Sequence, residues 1–124
     1  MPAVAIAVFE GAEELDFVGP WEVLAAWRYL HPDEVSVCLV GDTLEPVTCA
    51  KGMRVLPAFG ELLPLGRDIE PRPDDRFVDA GPIITAAGVS AGIDMALHLV
   101  GRLVSPERSR DVRRYIQYDP QPPY

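Results

Sequence analysis

Near the start of the chain, residues Ala3 to Phe9 read AVAIAVF, seven positions without a charge or a polar side chain. A continuous apolar run of this length, holding the β-branched residues Val4, Ile6 and Val8, is the pattern of a strand covered on both faces in a parallel sheet. Pro20 suits the first turn of a helix, where its missing N–H has no partner to lose, and Leu24, Trp27 and Leu30 follow at helical spacing until Pro32. The periodicity predicts a helix over Pro20–His31 and a second strand over Val35–Val40. Strand followed by amphipathic helix followed by strand is the signature of an α/β domain.

Further along, Val47–Leu56 reads as an extended segment broken at Lys51-Gly52, which fits a hairpin-like excursion. From Pro57 to Asp75 prolines at 57, 64, 71 and 73 and glycines at 60 and 66 leave no sustained period. Arg76–Val78 and Ile83–Ala86 flank Asp79-Ala80-Gly81-Pro82 as strand, turn and strand. Ser90 is placed to cap a helix over Ala91–Val104, with Asp94 in its first turn and Ile93, Ala96, Leu97, Val100 and Val104 along one face. Ser105-Pro106 opens a last helix over Pro106–Gln117, its Val112, Tyr115 and Ile116 facing inward and its arginines 108, 110, 113 and 114 outward. The proline-rich YDPQPPY ends it.

With 124 residues the chain is sized for one domain, 1–124, with room for a core. Its formal net charge of −8 offers no basic stripe for phosphates, which argues against nucleic acid and against an anionic membrane surface. The apolar N-terminal run is too short to span a bilayer and lacks the basic lead of a signal peptide, so no membrane segment is expected. Cys38 and Cys49 have no C-x-x-C spacing. Free thiols in a reducing cytoplasm are the expectation.

Cys38, in SVCLV, falls inside a strand expected to be buried, where a thiol behaves as a small hydrophobe. Cys49, in PVTCAKGM, is expected to be accessible, with Lys51 near enough to lower its pKa. His98 stands at helical spacing from Asp94, a pair more often found as a surface contact than as a metal site. No metal-ligand set and no nucleotide-binding glycine motif is visible, so no cofactor is expected. Gly88 and Gly92 are read as permitting close packing.

The stretches AVAIAVF, EELDFVGPWEVL, IITAAGVSAGIDMALHLV and RYIQYDPQPPY together resemble the ThiJ/PfpI superfamily, in particular its isonitrile hydratase branch. The resemblance spans Ala3 to about Leu56 and again about Gly66 to Tyr124. It implies a flavodoxin-like, doubly wound α/β fold with a mostly parallel sheet and helices on both faces, and a cysteine-dependent activity such as the hydration of isonitriles to N-substituted formamides. It also implies that Asp16, in LDFVGP, occupies the acidic position that reaches from the loop after the first strand toward the nucleophilic cysteine. The structural alternatives are that Asp16 fixes that loop before a helix or is solvated alongside Glu13 and Glu14.

Members of the superfamily carry their reactive cysteine on a sharp strand-to-helix turn, in a segment reading like V-C-T-G, with a T-T-H-W-like stretch after it. Neither string occurs here. The chain therefore reads as a member whose central, nucleophile-bearing segment is missing near residues 57–66, so that Asp16 points at an empty place. Because the thiolate does the covalent chemistry and the acid only assists, little or no activity is expected. Three outcomes follow: an enzyme-derived domain with impaired activity, a non-catalytic module binding a small molecule in the Glu10–Glu22 cleft or assembling through an exposed sheet edge, or no function. Losing central strands leaves an unpaired edge, and a homo-oligomer is expected to cover it.

Overall fold

The computed structural model describes residues 1–60 and 74–119. Strand β1 (Ala3–Ala7) runs into helix α1 (Glu14–Leu30), which crosses back to strand β2 (Ser36–Val40). The two strands pair in parallel, with Ala3 opposite Ser36 and Ala7 opposite Val40. Phe59 extends this sheet by a parallel bridge to Val40. The short strands β3 (Val47–Thr48) and β4 (Arg54–Val55) form an antiparallel hairpin whose turn holds Gly52 at φ +92°. A second antiparallel hairpin joins β5 (Phe77–Asp79) to β6 (Ile84–Ala86) through Gly81 at φ +85°. Helices α2 (Ala91–Leu103) and α3 (Pro106–Tyr115) follow.

The periodicities explain the core. Val23, Leu24, Ala26 and Trp27 of α1, Ala96, Leu97 and Val100 of α2 and Val112 of α3 bury together with Val35 and Val37, and Val4 and Ile6 of β1 pack against them. A smaller cluster of Val8, Ala12, Phe17, Val47 and Cys49 fills the space beneath the first hairpin at the carboxyl end of β1. Among the described residues the three helices gather on one face of the β1–β2 sheet. On the other face Ala3, Ala5 and Ala7 are exposed and Ser36, Cys38 and Val40 only half-buried. Among the described residues, helices cover one of the two faces of Ala3–Ala7, and Phe9, beyond the end of β1, is 54% exposed.

Helix α1 begins six residues earlier than Pro20, which lies inside it. Glu14 and Asp16 suit the positive end of the helix dipole, and Phe17, 3% exposed, is buried by the added turn. Pro20 leaves the Asp16 carbonyl without its usual i+4 donor. Gly92 of α2 lies beside that carbonyl: a Cβ on Gly92 would stand 3.4 Å from it and 2.9 Å from Pro20 Cγ. Gly19 is equally close to Ile93. The glycine at 92 therefore serves the contact between two helices.

Arg108 departs from the outward orientation expected of the α3 arginines. Its guanidinium lies against Glu34 in a two-pronged contact, Nε to Oε2 at 3.0 Å and Nη2 to Oε1 at 2.6 Å, while the Trp27 indole donates to Glu34 Oε2 at 2.8 Å. An acid ending the α1–β2 connection thus ties α1 to α3. The expected gap near 57–66 falls mostly outside the described residues, as does the end of the YDPQPPY tail.

Candidate functional site

Asp16 lies in the first turns of α1 and is exposed. Its Oδ1 accepts a hydrogen bond from the backbone N–H of Val89 at 2.6 Å. Val89 sits in the β6–α2 turn at φ +44°, after Gly88 at φ +128°. A β-branched residue with positive φ is a genuine outlier, held only where its surroundings fix it. The carboxylate is part of that fixing. Ser90, expected to cap α2, occupies the cap position without a side-chain hydrogen bond. Asp16 instead accepts the amide of Val89, the residue before the cap position, and so fixes the turn that leads into α2. The place toward which Asp16 reaches is therefore filled by the Gly88-Val89 backbone.

The neighbouring acids hold the first hairpin. Glu10 Oε2 accepts from Thr48 N at 3.0 Å, and Glu14 Oε1 accepts from Lys51 N at 2.7 Å and from Met53 N at 3.4 Å. Glu13 forms an ion pair with the Lys51 ammonium, which raises the lysine pKa through their hydrogen bond. Glu14 is largely covered, and its Oε2 has no hydrogen-bond partner among the described residues, standing 4.0 Å from Lys51 Nζ. Burial pushes the Glu14 carboxyl up, but hydrogen bonds from its own backbone N–H, Lys51 and Met53, with the Lys51 charge, outweigh it and leave the pKa lowered.

Both cysteines sit differently from expectation. Cys49 is buried, 4% exposed, and burial pushes its thiol pKa up, reinforced by the charges of Glu14 and Glu10. Lys51 does not lower it: the ammonium is paired with Glu13, and the charges that act on the thiol are those of Glu14 and Glu10. Cys38, expected to be buried, is half-exposed on the open sheet face, its Sγ 3.9 Å from the Val4 carbonyl. Neither cysteine lies on a strand-to-helix turn. A protonated, buried thiol is a poor nucleophile.

His98 does not pair with Asp94. Its Nε2 lies 2.9 Å from Asp79 Oδ2, and its ring packs on Phe77 with centroids 4.8 Å apart. Arg102 also bonds Asp79 and reaches the Gly81 carbonyl at 3.0 Å. The Gly81 amide, then the His98 ring and the Arg102 charge hold the Asp79 carboxyl below its ordinary range. Asp94 instead accepts from Arg76 Nη2 at 2.6 Å and from the Tyr118 hydroxyl at 3.2 Å. These contacts clamp the second hairpin onto α2. Among the described residues no group of three or more His, Cys, Asp or Glu side chains is arranged to hold a metal ion, and no helix is long and apolar enough to cross a membrane.

Sequence reasoning missed Val89, whose strain is a property of the folded turn. The signal available was Gly88 followed by a helix start. It also missed Glu34, a single acid between Pro32 and a strand.

No family model matches the chain. An isonitrile hydratase of Pseudomonas putida is 32% identical over 119 residues, a match covering 94% of this chain and 49% of the relative. The chain thus spans about half the length of the curated relative it matches. In fold it is similar to a ThiJ/PfpI family protein from Pseudomonas syringae, with a TM-score of 0.74 at 18% identity, covering 98% of this chain and 77% of the other. The oxidized DJ-1 of Toxoplasma gondii gives a TM-score of 0.72 at 15% identity, covering 97% of this chain and 100% of the other. An AraC family transcriptional regulator from Pseudomonas putida reaches a TM-score of 0.74 at 13% identity, covering 94% and 99%. The fold is of the α/β, flavodoxin-like class. With the LDFVGP stretch in the first turns of α1, the parallel β1–α1–β2 unit and this sequence relative taken together, the chain is similar to an isonitrile hydratase over about half of that relative's length and shares the fold of ThiJ/PfpI and DJ-1 proteins.

Proposed function

We propose that this chain is a single-domain derivative of the isonitrile hydratase branch that does not carry the branch's thiolate chemistry on its own cysteines, the central nucleophile-bearing segment being absent near 57–66. The observation that carries this reading is the occupancy of Asp16: its carboxylate is engaged by the Val89 amide at 2.6 Å, while Cys49 is buried with a raised pKa. Asp16 keeps the family's acidic position and has a structural task there. No cofactor enters this account. The setting we propose is the reducing cytoplasm, with both thiols free and the chain in a homo-oligomer.

A second reading, a non-catalytic module that binds a small molecule, draws on the exposure of Asp16, which leaves its other carboxylate oxygen open to a donor from a ligand. The two readings share the absence of thiolate chemistry.

Alkylation by iodoacetamide across pH tests the first. Modification of Cys49, followed by mass spectrometry, is expected to be slow at neutral pH and to rise only in the alkaline range, and the modification of both Cys38 and Cys49 is expected to be unchanged by Asp16→Asn. Rapid neutral-pH modification of either thiol that slows with Asp16→Asn would show an activated cysteine beside the acid and end the proposal.

A further inference from the structure

Strand β1 has one partner among the described residues, β2. Ser36 N donates to Pro2 O and Val8 N donates to Val40 O, so the even-numbered residues along β1 bond to β2. In a parallel pair the alternation then turns the N–H and C=O of Ala3, Ala5 and Ala7 toward the opposite edge. Among the described residues no strand pairs with that edge, and AVAIA itself carries no charge, no proline and no bulge, with its three alanines exposed.

We propose that this edge is a self-association surface, on which β1 of a second copy pairs antiparallel about a two-fold axis with Ala5 opposite Ala5 and Ala3 opposite Ala7. The parity fits, because in this register the residues that face each other are those whose N–H and C=O point across the edge. An isologous contact needs a surface compatible with itself. In a chain of net charge −8, β1 is a segment that brings no like charges together. The same pairing sets Val4 beside Ile6 of the other copy on the helix-covered side, enlarging cover over two side chains left half-buried in one copy. The proposal deepens the expectation of a homo-oligomer by naming its surface, and it does not depend on the thiol chemistry.

The test combines molar mass by light scattering over a dilution series with hydrogen exchange of the full chain. The expected result is a dimer that dissociates on dilution, with the amides of Ala5 and Ala7 protected in the dimer and exchanging freely in the monomer. Ala5→Pro removes an edge donor that β2 does not use, and Ala5→Lys places a charge on the edge. Both are expected to give a monomer, and Ala5→Lys, which leaves the β1–β2 ladder intact, is expected to keep the wild-type circular dichroism. A monomer at every concentration overturns the proposal, as does a monomer whose Ala5 and Ala7 amides stay protected, which would place a strand of the same chain on the edge. A dimer indifferent to Ala5→Lys, with Ala5 and Ala7 amides exchanging freely, overturns it too while leaving a homo-oligomer of another geometry standing.

Discussion

The carboxylate of Asp16 accepts the Val89 amide at 2.6 Å, joining two residues 73 positions apart and fixing the turn into α2 from the first turns of α1. The bond is one of the contacts that hold Val89 at φ +44°, beside the Ala91 N–H bond to the Gly88 carbonyl at 3.0 Å.

Asp16→Ala is expected to lower stability by about 1 kcal/mol, the typical net worth of one hydrogen bond, with Asp16→Asn costing less because an amide oxygen still accepts. Val89→Gly is expected to raise stability by about 1 kcal/mol, since glycine adopts positive φ without strain. Urea midpoints for the three variants check both signs. A destabilised Val89→Gly would mean that the turn is not strained.

Gly92→Ala is expected to destabilise by about 1–3 kcal/mol, the range for overpacking, because its Cβ would stand 2.9 Å from Pro20 Cγ on a stiff ring inside α1. On an unpacked helix the same change would stabilise. Thermal unfolding of the variant decides between the two by the direction of the Tm shift.

The acid side of the stability profile follows from carboxylates whose pKa is lowered in the folded chain. Glu34 is lowered first by the Arg108 guanidinium and then by the Trp27 indole, and Asp79 by the Gly81 amide and His98. A depressed folded pKa contributes stability that is present above the unfolded carboxylate value and lost as pH falls through the folded one. Tm is therefore expected to hold at neutral pH and fall in acid. Glu34→Gln is expected to lower Tm by a few degrees at neutral pH and to flatten its acid decline. An unchanged acid limb in Glu34→Gln would remove Glu34 from the account.

Much of the fold was legible because its signals are local. The apolar run of β1, the hairpin break at Lys51-Gly52, the turn at Gly81 and the starts of α2 and α3 all appear where the pattern put them. The start of α1 was not, because a proline tolerated mid-helix looks the same in sequence as one at a first turn, and the burial of Phe17 decided it. The reading of Asp16 as an acidic site position came from family resemblance alone, and its observed partner Val89 depends on contact between α1 and the β6–α2 turn. Cys49 was read from the adjacent Lys51, yet the charges that govern its thiol belong to Glu14 and Glu10, more than thirty residues away. Arg108 was assigned to solvent by its neighbours' pattern and recruited inward by Glu34.

The central claim is that no thiol of this chain performs the family's covalent chemistry. Hydration of an alkyl isonitrile to the N-substituted formamide, followed by chromatography with wild-type chain, Cys38→Ser, Cys49→Ser and Asp16→Asn side by side, tests it most directly. All four are expected to give the rate of buffer alone. Turnover by the wild-type chain that disappears in either cysteine variant would contradict the account and locate the nucleophile.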